Sequence, residues 1–180
     1  MAAQPEITRL LAGRGRTSSV FSFPDPVNEV SARLVAGGVV LASLATIILD
    51  EPWLTAVIAY GFVARVLSGP TLSPLGQFVT RVLTPRLPFA ARPVPGPPKR
   101  FAQAIGATFS VSAAVLALGL GETGAAYALL GLLVVAATLE SAFGICLGCR
   151  AFAALMRAGV IPAEVCVRCN DVALGRPGSA

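Results

Sequence analysis

The nineteen residues Ala125–Phe143, AAYALLGLLVVAATLESAF, decide the fold. Glu140 is their single charge, and the apolar side chains cover every face of a helix rather than one stripe. Coiled as a helix at about 1.5 Å per residue, the run covers about 28 Å, close to the hydrocarbon thickness of a bilayer.

Moving outward, the loop Gly121-Glu122-Thr123-Gly124 precedes it, and Phe101–Leu120 is a second run of the same kind. Two more lie upstream, Leu34–Leu49 and Trp53–Gly69, divided by Asp50-Glu51-Pro52. The chain of 180 residues is 55% hydrophobic and 13% charged, with mean hydropathy +0.76. Soluble domains carry about a quarter charged residues, so this is a membrane composition. The expected fold is an all-α membrane protein: four transmembrane helices in two hairpins, spanning about 32–49, 53–69, 101–120 and 125–145. They form a membrane domain over 25–160, between an amino-terminal tail (1–24) and a carboxy-terminal CxxC tail (161–180). The first thirty residues lack an apolar signal region before a cleavage site, so the first run is expected to stay in the membrane.

Charge sets the expected orientation. All fourteen Lys and Arg residues lie in the amino-terminal region, near the junction of the second and third runs, or from Arg150 onward. Both hairpin loops are acidic, with Asp50, Glu51 and Glu122 and no basic residue. The positive-inside rule then makes both termini and the central loop cytoplasmic, giving a multi-pass protein of the cytoplasmic membrane. The same rule accounts for the net charge of +5 without nucleic acid as a partner.

Local signals refine the picture. Asp25-Pro26 reads as an N-cap and first helical residue, with Glu29 and Arg33 as an i,i+4 pair. Ser73-Pro74 opens a short amphipathic helix, whose stripe of Leu75, Phe78, Val79, Val82 and Leu83 faces the inner interface or packs on the bundle. Pro85 to Arg100 reads as extended, with Arg86, Arg92, Lys99 and Arg100 available to anionic headgroups. Two charges fall inside the runs and need partners. Arg65 and Glu140, counted from the outer face, agree in depth within about 5 Å, which predicts an intramembrane pair. Broken spans with midplane polar residues are missing from the pattern, so solute transport is not indicated.

The chemistry is confined to four cysteines in two CxxC pairs, Cys146/Cys149 and Cys166/Cys169, sixteen residues apart. The first pair falls where the fourth helix leaves the membrane, where the helix dipole would oppose a thiolate and Arg150 would favour it. Three readings stand. The pairs are redox thiols, because CxxC closes a small ring and exchanges through mixed disulfides. Alternatively all four ligate zinc, or an iron–sulfur cluster, with the C-x2-C-x16-C-x2-C spacing of a zinc site. Or the cysteines merely pack, which the paired spacing argues against. A cytoplasmic location argues against stable structural disulfides.

The set Phe23-Pro24-Asp25-Pro26-Val27-Asn28-Glu29, Gly69-Pro70-Thr71-Leu72-Ser73-Pro74, Pro97-Pro98-Lys99-Arg100-Phe101, Leu139-Glu140-Ser141 and both CxxC pairs resembles a known family over about residues 20–173. It is a bacterial, mostly actinobacterial, integral membrane family, domain of unknown function 4395. The resemblance implies a membrane protein without an assigned activity. It also implies a thioredoxin-like or sulfurtransferase partner, and so thiol or sulfur-relay chemistry.

Overall fold

The computed structural model describes residues 23–88 and 92–166. The predicted tail up to residue 22, and Cys169 of the second pair, lie outside the described residues. Among the described residues the fold is helical, with a single two-residue ladder: β1 (Val27–Asn28) pairs antiparallel with β2 (Pro93–Val94).

Helix α1 (Glu29–Ile48) begins at Asn28, whose side chain accepts from the Val30 N–H at 3.0 Å. The predicted cap Asp25 instead accepts from the Gly96 N–H at 3.0 Å, tying the segment before α1 to the start of a later helix. Helix α2 (Leu54–Ser68) stops at Gly69. Ser73 then caps α3 (Pro74–Phe78), accepting from the Gly76 N–H, and the chain continues through a π turn, Val79–Leu83. This segment packs on the bundle: Val79 is buried and Leu75 lies on Gly38 of α1, while Phe78 faces outward.

Helix α4 (Gly96–Ala114, extended by a π turn to Gly119) starts five residues before the apolar run. The segment read as extended, Pro85 to Arg100, is therefore helical at both ends, with Thr84–Arg86 in a 3-10 turn. Pro97 and Pro98 occupy the first turn, where a missing N–H costs nothing and the fixed φ suits the helix. Helix α5 (Thr123–Phe143) and then α6 (Leu147–Arg157) each follow after a three-residue loop.

Helix α1 packs chiefly on α5, α2 on α4, and α4 on both α5 and α6. The core is built of small residues around Leu130: Ala36, Ala113, Ala126 and Ala137, with Val39 and Phe62. Such residues let helix backbones approach closely where the hydrophobic effect gives no drive between helices. The outer surface inverts the soluble pattern, with Leu41, Val57, Leu118, Leu132 and Val135 exposed. Three helices, Glu29–Ile48, Gly96–Gly119 and Thr123–Phe143, are long and apolar enough to cross a membrane; Leu54–Ser68 is apolar but shorter.

Candidate functional site

The site begins where α5 ends. Gly144 takes φ +69°, the left-handed conformation that a side chain disfavours. Its N–H bonds to Glu140 O and that of Ile145 to Leu139 O, each at 3.0 Å, which closes the helix in a Schellman turn. From α1, Arg33 donates to the carbonyls of Ser141 (3.1 Å) and Ala142 (2.8 Å), a cation on the negative helix end. Arg33 thus serves α5 rather than the predicted partner Glu29.

The reversal is immediate. Cys146 is extended (φ −88°, ψ 105°) and is the N-cap of α6, its sulfur accepting from the Cys149 N–H at 3.3 Å. The Cys149 thiol donates to the same sulfur across 2.7 Å. The predicted setting, a thiol on the carboxy-terminal end of a long helix, is therefore corrected. Cys146 stands at the positive end of a new helix, where the dipole and free N–H groups favour a thiolate. The hydrogen bond from Cys149 draws the Cys146 thiol below its ordinary pKa, aided by the Lys99 charge and opposed by burial and Glu140. That same bond, together with burial, pushes the Cys149 thiol up.

Helix α6 is held on α4. A Cβ on Gly148 would lie 2.5 Å from that of Ala102, so only glycine permits this approach, and the rings of Phe101 and Phe152 meet at 5.5 Å. The turn of α4 beneath supplies Lys99, whose ammonium pairs with Glu140 at 2.6 Å, both side chains mostly buried. The contact partner of Glu140 is thus Lys99, while Arg65, the expected partner, feels the Glu140 charge without an ion-pair contact. Arg65 donates instead to Gln103 Oε1 (3.0 Å) and Ser73 Oγ (3.2 Å), and lies over the Phe62 ring. Lys99 reaches Glu140 because α4 begins early, at Gly96. Lys99 is accordingly a buried partner, not a headgroup ligand. Lys99 and Gln103 were missed as site residues, although their i,i+4 spacing ahead of Gly106 is a readable signal.

Next to Cys146 a cavity of about 420 Å³ opens among α1, α2, α4, α5 and the start of α6. Val39, Phe62, Phe109 and Leu133 form apolar walls, and Gln103, Glu140 and Cys146 form its polar end.

Cys146 and Cys149 are free thiols; Cys166, at the end of the 3-10 turn Ala163–Cys166, is buried and disulfide-bonded. An oxidised tail cysteine departs from the expectation of reduced thiols. Among the described residues no group of three or more His, Cys, Asp or Glu side chains is arranged to hold a metal.

Fold and site together define a helical protein with helices of membrane-crossing length and a thiol pair at a helix start. The chain belongs to the DUF4395 family, a domain of unknown function, whose model matches residues 27–157. That match includes Cys146 and Cys149 and ends before Cys166. No curated protein and no solved structure matches the chain significantly.

Proposed function

We propose that this is a multi-pass protein of the cytoplasmic membrane, with four spans and both termini in the cytoplasm, that exchanges electrons between thiols at the cytosolic face. The observation that carries the reading is the Cys146 N-cap with the Cys149 sulfur 2.7 Å away. Two sulfurs in reach of one another, with one poised as a thiolate, are what disulfide exchange requires. Orientation is supported by clustering: Arg33, Lys99 and Arg100 sit at the helix ends near the thiols, and Asp50, Glu51 and Glu122 sit at the other end.

Burial assigns the roles. Cys149 is the more accessible sulfur and Cys146 the buried one. With the pair oxidised, a thiolate of a thioredoxin-like protein attacks Cys149 Sγ. A bond forms between the proteins, the Cys146–Cys149 bond breaks, and the electron pair stays on Cys146, the better leaving group because its thiolate is stabilised. The partner's second thiol then attacks its own mixed-disulfide sulfur and releases Cys149. Two electrons and two protons have moved from the partner dithiol to the site. Cys166 and Cys169 are the exchanging tail pair that carries the same reaction between partner and membrane edge.

The test uses the full-length oxidised protein carrying Cys166→Ser and Cys169→Ser, so that the tail pair does not compete, and a thioredoxin retaining only its attacking cysteine. A mixed disulfide mapped to Cys149 by mass spectrometry is the expected result. An adduct on Cys146, or none, sinks the assignment. One tightly bound zinc with four protected thiols in the purified protein overturns the redox reading in favour of a four-cysteine metal site.

A further inference from the structure

We infer that the cavity beside Cys146 binds a membrane quinone, and that the Cys146/Cys149 dithiol reduces it. The inference rests on the dithiol reading above and adds the acceptor. A volume of about 420 Å³ lies within the range of small-molecule sites and holds a one- or two-ring head group.

Three features select the ligand class. The exposed part of the lining is apolar: Ile105 of α4, Leu132 and Val135 of α5 and Leu147 of α6 lie on the surface assigned to lipid. A ligand therefore enters from the bilayer, and it is lipid-soluble. The walls carry two aromatic rings, Phe62 and Phe109, against which a flat ring stacks. The inner end is polar: Gln103 accepts from Arg65 through Oε1, which leaves its NH2 group to donate to a ring carbonyl. An acyl chain fits the walls but has nothing to offer that end. A quinone matches walls and end alike, and it is a two-electron acceptor.

Burial again assigns the sulfur. Cys146 is 8% exposed and lines the cavity, so it meets the ligand there while Cys149 meets the soluble partner. The Cys146 thiolate adds to a ring carbon, forming a C–S bond. Cys149 sulfur then attacks Cys146 Sγ; the S–S bond forms, the C–S bond breaks, and its electron pair remains on the ring. The two thiol protons end on the two ring oxygens, so one dithiol and one quinone give one disulfide and one hydroquinone. Electrons enter by Cys149 and leave by Cys146.

The experiment takes the full chain in lipid nanodiscs without oxygen, reduced and freed of reductant, and adds a decyl-substituted benzoquinone. One hydroquinone per chain with a Cys146–Cys149 disulfide is expected in Cys166→Ser/Cys169→Ser, and up to two in the wild type, where the tail dithiol reduces the pair again. Ala136→Phe, which fills the cavity from α5, lowers that rate at least tenfold and leaves mixed-disulfide formation with the monothiol thioredoxin unchanged. A photoreactive azidoquinone labels the wild type at Phe109 or Leu133, a readout that needs no variant. Normal thioredoxin exchange without hydroquinone, or without cavity labelling, overturns the quinone site and leaves the dithiol reading standing. An undiminished quinone rate in Ala136→Phe that still exchanges with thioredoxin also overturns it, since reduction then occurs outside the cavity. Failure of both reactions overturns the dithiol reading and this one with it.

Discussion

At the hairpin end of the bundle the charged side chains are exposed: Tyr127 donates to Asp50 at 2.7 Å, and Trp53 to Glu51 at 3.0 Å. At the thiol end two cations, Arg65 and Lys99, are buried, with polar contacts running from Ser73 through Arg65 to Gln103 and from Lys99 to Glu140. The same four helices carry both ends, so packing alone does not dictate the contrast. Buried charge is costly in a membrane bundle and persists where it is paired. The thiol end is thus where the fold carries that cost, and it is where the chemistry lies.

Breaking the thiol end should have the larger effects. Cys146→Ser is expected to abolish internal disulfide formation and reduce thioredoxin-linked turnover below a hundredth of the wild-type rate, read by thiol titration after each cycle. Lys99→Met leaves Glu140 buried and unpaired; loss of about 3–5 kcal/mol is expected in detergent unfolding, most of it recovered in Lys99→Met/Glu140→Leu. If the double variant is no more stable than the single, the pair is not what holds α4 to α5. Gly148→Ala pushes α6 off Ala102 and should destabilise by about 1–3 kcal/mol, with slower disulfide closure.

Subtler still is the pH profile of the reduced protein. The Cys146 pKa lies below the ordinary value and that of Cys149 above it, so alkylation of Cys146 rises through a midpoint below that of a free thiol, about 8.5, while Cys149 lags. Peptide mapping across pH reads both, and Cys149→Ala, which removes the donor, should move the Cys146 midpoint upward. At the hairpin end Tyr127→Phe should leave both melting temperature and thiol chemistry unchanged. A marked effect there would erase the contrast between the ends.

Much of the helical layout was legible because apolar runs and loop charges are local. Leu34–Leu49 lies within α1 but for its last residue, and Ala125–Phe143 within α5. The partners of buried charges were not legible, because depth can be counted along a chain while azimuth around a helix cannot. Arg65 feels the Glu140 charge, yet Lys99 makes the contact, from a helix whose first turn was hidden by its prolines. The CxxC spacing marked the right residues, and Gly144 marked a loosened turn. What the spacing does not carry is the restart of the chain at Cys146, which exchanges an unfavourable helix end for a favourable one.

The clasp of Arg33 on Ser141 and Ala142 has a consequence for the timing of assembly. The chain is made from its amino terminus, and Arg33 precedes Ser141 by 108 residues. The cation that finishes α5 is therefore in place before that helix exists, and Cys146 and Cys149 emerge after the helices they pack against. A nascent chain has no reactive cysteine pair to protect until nearly all of its fold is built.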